Sequence, residues 1–120
     1  MFNKNDNFFP TPLTIIYKMI STVDFNQVKT ILEPSAGKGD ILEVLEQKKK
    51  YHKHLDIDCI ELDPNLQHIL KGNNYRVVHD NFLTYESMKQ YDLIIANPPF
   101  DSGDKHLLKM LECKKTTEAQ

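Results

Sequence analysis

Apolar positions along the chain alternate between a spacing that suits helices and one that suits strands. Thr11-Pro12, followed by Leu13, Ile15, Ile16, Met19 and Ile20, predicts a capping residue, a proline at the first helical position and an amphipathic helix over residues 11–22. Lys29 to Glu33 predicts a first strand. Gly39-Asp40 then opens a helix with Ile41, Leu42, Val44 and Leu45 on one face, running out into Lys48-Lys49-Lys50, where positive charge suits the helix dipole. Asp56 to Leu62 predicts a second strand, and Asp63-Pro64 starts a helix through Leu66, Ile69 and Leu70 that Gly72-Asn73-Asn74 stops. Tyr75 to His79 predicts a third strand, Tyr91 to Ala96 a fourth, and Lys105 to Glu112 a last helix before a polar tail, 113–120. Strands separated by helical connections need crossovers, so the pattern predicts an α/β fold: a parallel sheet with flanking helices.

Composition narrows the picture. With 120 residues, 40% hydrophobic and 27% charged, residues 1–120 make one domain of ordinary globular composition. A net charge of −2 gives no global positive field that would mark a nucleic-acid partner, although local patches stay open. Cys59 and Cys113 lie far apart in a chain with no apolar leader and no bilayer-length run, which predicts unpaired thiols in a soluble, cytoplasmic protein without a membrane partner. The five histidines show no metal-ligand spacing, so no metal is expected.

Ligands of open parallel sheets bind beyond the carboxyl ends of the strands, and the informative residues fall there. The first strand finishes in Glu33-Pro34-Ser35-Ala36-Gly37-Lys38-Gly39-Asp40, whose glycines allow a tight turn and close approach of a ligand to main-chain N–H groups. A phosphate-cradling loop would need a glycine at the place of Leu32 and Ser or Thr at that of Gly39; the dinucleotide fingerprint lacks its third glycine. The loop therefore suits a ligand without a pyrophosphate. Glu61, about twenty residues on, stands where such folds put a carboxylate for ribose hydroxyls, beside Leu62 and the capping Asp63. Asp80-Asn81-Phe82 offers a carboxylate or amide acceptor beside a ring at the end of the third strand. The fourth strand leaves through Asn97-Pro98-Pro99-Phe100, a stiff turn because neither proline has an N–H and each restricts the residue before it.

Taken in order, Phe8-Phe9-Pro10-Thr11-Pro12, Glu33 to Asp40, Ile60 to Pro64, Asp80 to Leu83 and Asn97 to Phe100 resemble the class I S-adenosylmethionine-dependent methyltransferases, especially the N6-adenine DNA methyltransferases, over about residues 8–112. The resemblance implies a Rossmann-like sheet of strand order 3-2-1-4, with residues 29–100 as the cofactor-binding and catalytic core. It implies that Phe9, Thr11, Pro12, Glu33, Ser35, Ala36 and Gly37 hold the methionine part of S-adenosylmethionine. Glu61 would take the ribose, Leu62 would lie against the adenine, Asp80, Asn81 and Phe82 would bind its rim, and Asn97, besides its catalytic part, would also touch the cofactor. The family places its acid directly before the phenylalanine; here Asn81 intervenes, so either Asp80 or Asn81 can accept from the adenine amino group.

The proline turn then acquires a chemical reason. An exocyclic amino nitrogen is a poor nucleophile because its lone pair is delocalised into the ring, and methylation leaves positive charge on it. The Asn97 side-chain oxygen and the Pro98 carbonyl, in a turn stiffened by Pro99, would each accept one N–H and stabilise that charge, while Phe100 stacks on the base. In duplex DNA the base must first be flipped out, at a cost of a few kcal/mol. A complete domain of this kind has a seven-stranded sheet ordered 3-2-1-4-5-7-6 and a target-recognition region; residues beyond Phe100 number about twenty, so the chain reads as truncated after the turn. An apolar fourth strand at a sheet edge predicts a homo-oligomer, or another subunit covering it. Two other readings stand beside DNA adenine: an RNA base or protein glutamine as substrate, and a catalytically silent S-adenosylmethionine-binding or interaction module.

Overall fold

Ile31 and Leu32, adjacent in β1 (Thr30–Glu33), are both fully buried, yet in separate apolar clusters. Successive strand residues face opposite sides, so β1 has protein on both its faces and belongs in the middle of a sheet. In the computed structural model, which describes residues 13–86 and 89–96, β1 pairs in parallel with β2 (Asp56–Ile60) and with β4 (Leu93–Ile94), and β2 pairs in parallel with β3 (Val77–His79). The strand order is β3-β2-β1-β4, as the resemblance implies.

The larger cluster fills the face covered by helices: Ile16 and Ile20 of α1 (Leu13–Ile20), Ile41, Leu42, Val44 and Leu45 of α2 (Asp40–Tyr51), and Leu70 of α3 (Pro64–Gly72), packed over Ile31, Ile57, Cys59 and Ile95. Each buried Leu or Ile contributes about 1.5–3 kcal/mol of hydrophobic stabilisation before entropy is counted. The opposite face carries the smaller cluster of Leu32, Ile60, Phe82, Tyr91 and Ile94. Phe82 belongs to a short 3₁₀ turn, Phe82–Thr84.

Helix boundaries follow their caps. Asp63 caps α3, its Oδ1 accepting from the N–H groups of Asn65 (2.7 Å) and Leu66 (3.3 Å) ahead of Pro64 at the first turn. At its other end the left-handed residue is Asn74 (φ 68°), while Gly72 is still helical. The predicted strands run shorter in the structure: β2 stops at Ile60 rather than Leu62, because the backbone beyond turns to meet the Glu61 carboxylate, and β4 pairs only through Leu93 and Ile94. Thr11 and Pro12, the helix expected at 105–112, the tail 113–120 and Cys113 lie outside the described residues. Cys59 is buried and free, its thiol pushed up to about 12 chiefly by burial, so it behaves as core filler. No helix of the described residues is long and apolar enough to cross a membrane.

Gly39 enters α2 at φ 101°, and a Cβ there would stand 3.1 Å from Tyr75 Cε2 and 3.2 Å from Leu70 Cδ2. Both the left-handed backbone and the ring contact oppose a side chain. Gly39→Ala should therefore lose about 1–3 kcal/mol in urea unfolding, and an unchanged midpoint would contradict the tight seating of this turn.

Candidate active site

Three crossovers bring their strand ends to one edge of the sheet. At the end of β1, Glu33 is only 1% exposed and points under the following loop, where its Oε1 accepts from Ser35 N–H at 2.5 Å. The loop continues with Ala36 N–H donating to the Ile60 carbonyl (3.0 Å), Gly37 at φ 60° and Gly39 N–H closing back on the Ala36 carbonyl (3.0 Å). Gly37 supplies the positive φ that lets the loop double back here.

Glu61, at the end of β2, is the centre of this edge. Its Oε1 accepts from Gly37 N–H at 2.6 Å and its Oε2 from Asp63 N–H at 2.9 Å, so one carboxylate ties the β1–α2 loop to the β2–α3 turn. The main-chain carbonyl of Glu61 in turn accepts from Gln67 Nε2 at 2.7 Å. Each carboxylate oxygen has a second lone pair, which leaves capacity for two hydroxyls of a ligand at the rim. Leu62 beside it is 67% exposed, an apolar surface next to an acceptor.

At the end of β3, Asp80 and Asn81 do different things. The Asn81 side-chain oxygen accepts from Leu83 N–H (3.0 Å) and caps the 3₁₀ turn. Asp80 is 64% exposed, with Oδ1 accepting from Asn81 N–H (2.7 Å) and lying 3.6 Å from His79 Nε2. Phe82 is 2% exposed and packs in the core of the second face. The structure thus brings Glu33, Ser35, Ala36, Gly37, Glu61 and Leu62 together through two crossover turns, with Asp80, Asn81 and Phe82 following the adjacent strand. Phe9, Thr11, Pro12, Asn97, Pro98, Pro99 and Phe100 lie outside the described residues. Gln67 was not singled out by sequence; its signal is a polar side chain in the first turn after Pro64, able to reach back to the strand end. Among the described residues no group of three or more His, Cys, Asp or Glu side chains could hold a metal ion.

Burial sets the electrostatics of this edge. It pushes the Glu33 carboxyl up to about 8, against the lowering effect of the Ser35 N–H and with a further rise from nearby Glu61. Burial also raises Glu61, while the N–H groups of Asp63 and Gly37 pull it back down.

No family model matches the chain. In sequence it is 34% identical over 89 residues to the type II methyltransferase M.CvrRI of Paramecium bursaria Chlorella virus XZ-6E, covering 70% of this chain and 22% of that protein. It is 33% identical over 91 residues to a tRNA1(Val) (adenine(37)-N6)-methyltransferase of Aliivibrio fischeri, covering 68% of this chain and 38% of that one. Among solved structures it superposes on the StiE O-MT domain with a TM-score of 0.70 at 15% identity, over 86% of this chain and 40% of that chain. The chain spans about a fifth to two-fifths of the length of these curated relatives.

Between about pH 4.5 and 8 the folded protein holds a proton on Glu33 that the unfolded chain has released. The sign follows from linkage: a buried acid with a raised pKa contributes stability below its unfolded value, and that contribution is lost as pH rises through the folded one. The urea midpoint should therefore fall across this window, and Glu33→Gln, which keeps an acceptor for Ser35 N–H, should flatten the slope. Parallel pH profiles for the two proteins would contradict the assignment. In sequence the chain is a relative of the type II methyltransferases and the tRNA adenine-N6 methyltransferases, and its strand order and superposition show the class I, S-adenosylmethionine-dependent methyltransferase fold.

Proposed function

We propose that this chain is the cofactor-binding and catalytic part of a methyltransferase that uses S-adenosylmethionine to methylate the exocyclic N6 amino group of adenine in DNA. The observation that carries the reading is the carboxylate of Glu61, clamped by Gly37 and Asp63 N–H groups beside exposed Leu62, at the edge where β4 leads towards Asn97-Pro98-Pro99-Phe100. The donor set fits the cofactor: Glu61 for two ribose hydroxyls, the turn at Ser35, Ala36 and Gly37 for the amino-acid end, and Leu62 for a ring face. Glu33 serves from beneath, holding Ser35 in place. Of the two candidates for the adenine amino group, Asp80 is favoured, since the Asn81 oxygen already caps the 3₁₀ turn. Phe9, Thr11 and Pro12 would complete the amino-acid end.

When bound, the cofactor supplies an electrophilic methyl group. The residues of this chain do the rest by geometry. The Asn97 side-chain oxygen and the Pro98 carbonyl each accept one hydrogen of the target amino group, direct its nitrogen lone pair out of conjugation and stabilise the charge that develops there. Phe100 stacks on the base. Neutral acceptors suffice until the methylated nitrogen sheds its proton, so no histidine base is assigned. Adenine in RNA is a second reading, favoured by the likeness to the tRNA methyltransferase.

Calorimetric titration with S-adenosylmethionine should show saturable binding, weakened at least about tenfold in Glu61→Ala and changed less than about threefold in Asn97→Ala. Methyl transfer to adenine-containing DNA should fall about a hundredfold or more in Asn97→Ala. Absence of cofactor binding would refute the reading; transfer to RNA but not DNA would select the second one.

A further inference from the structure

β4 has little of its own to say where it should pair. Its apolar run is Leu93-Ile94-Ile95, with Leu93 and Ile95 against the helical face and Ile94 against the other. Sliding this run by one residue would still put a branched aliphatic side chain on either face, so the hydrophobic pattern does not specify the register as it does in an alternating strand. Pairing adds little: two residues meet Ile31 and Leu32 of β1, with Asp92 N–H on the Thr30 carbonyl (3.0 Å) and Ile95 N–H on the Leu32 carbonyl (3.1 Å).

Polar contacts at the entry to the strand supply what the apolar run lacks. Asp92 Oδ2 accepts from the N–H groups of Lys29 (2.8 Å) and Thr30 (3.2 Å), and Asp92 N–H also reaches Thr30 Oγ1 (3.0 Å). Tyr91 is fully buried and its hydroxyl donates to Asp58 Oδ2 at 2.8 Å, crossing beneath β1 to reach β2. Asp58 is 2% exposed and is held in turn by Arg76 Nε (2.5 Å) and Lys89 Nζ (2.8 Å), while the Tyr85 hydroxyl lies 3.0 Å from that of Tyr91. Any slip of β4 would break the Asp92 contacts and withdraw the Tyr91 hydroxyl from a buried carboxylate, leaving polar groups without partners.

We propose that Tyr91 and Asp92 are positioning residues that lock β4 in register and thereby set the point from which the chain runs on to Asn97, five residues after Asp92. A slip of one residue moves the strand by about 3.3 Å and turns its side chains to the opposite face. Misplacement of a catalytic group by about 1 Å can already cost a hundredfold. The part concerning Asn97 rests on the functional reading above; the lock itself does not.

Tyr91→Phe deletes a single oxygen, Asp92→Ala deletes the second anchor, and Asp92→Asn keeps an acceptor and should restore it. The lock predicts that amide exchange of Ile95 in β4 accelerates at least about tenfold relative to that of Ala36 in Tyr91→Phe and Asp92→Ala, and returns close to wild type in Asp92→Asn. It also predicts unchanged cofactor affinity within about twofold, with kcat for methyl transfer down about 10- to 100-fold and KM little changed. Equal acceleration at Ile95 and Ala36, or none at Ile95, would overturn the lock as a local device. If the wild type binds cofactor but transfers no methyl group to DNA or RNA, the functional reading falls, while the exchange comparison still decides the lock.

Discussion

The arrangement depends on one carboxylate. Glu61 closes β2 by accepting from Gly37 N–H on one side and Asp63 N–H on the other, so two crossover turns that are distant in sequence share a single anion. Main-chain N–H groups that would otherwise face a partly apolar edge are satisfied, and the carboxylate is compensated for its removal from water. That double attachment pre-forms the edge at which a ligand would sit, because neither turn can move without breaking a charge-assisted hydrogen bond.

A second buried acid lies beneath the same edge. Glu33 has one short bond to Ser35 N–H and almost no access to water, an arrangement that favours the neutral carboxyl and works against stability as pH rises. A fully apolar residue at the end of β1 would be the better choice for folding alone. An acid there acts as a support that fixes the loop from below through Ser35 N–H, a cost to folding of the kind that marks a candidate functional edge. The far face shows a third carboxylate, Asp58, whose charge is offset by Arg76 and Lys89 and whose remaining oxygen capacity goes to Tyr91. Buried acids in this protein thus tie together elements that hydrophobic contact alone would leave free to slide.

Much of the architecture was legible because each element carries its own signal. The caps at Gly39 and Asp63, the proline at 64 and the apolar stripe of α2 are local features, and the alternation of strands with helices dictates parallel pairing whatever the detailed contacts. Strand ends were less legible: β2 reads as continuing to Leu62 in apolar pattern, yet it stops at Ile60 because the chain beyond turns so that Asp63 N–H meets the carboxylate of Glu61, which also holds Gly37 N–H of the loop after β1. The local partners of Asp80 and Asn81 likewise lay outside the sequence, since both are acceptors and only the structure shows Asp80 Oδ1 taking the Asn81 N–H and the Asn81 oxygen capping the turn at Leu83.

By itself, the sequence determined the fold class, the order of the strand-end motifs and the candidacy of Glu61, since these follow from local periodicity and from the rule that parallel strands present their carboxyl ends to ligands. Tertiary structure alone decided the partners of the buried acids: Glu61 with the loop 24 residues before it, and Asp58 with Tyr91, 33 residues after it. Those pairings depend on which crossovers lie side by side, a long-range outcome of packing that no window of neighbouring residues encodes. For the same reason the register of β4, ambiguous in a run of three aliphatic residues, is set by hydrogen bonds to β1 and β2 rather than by its own pattern.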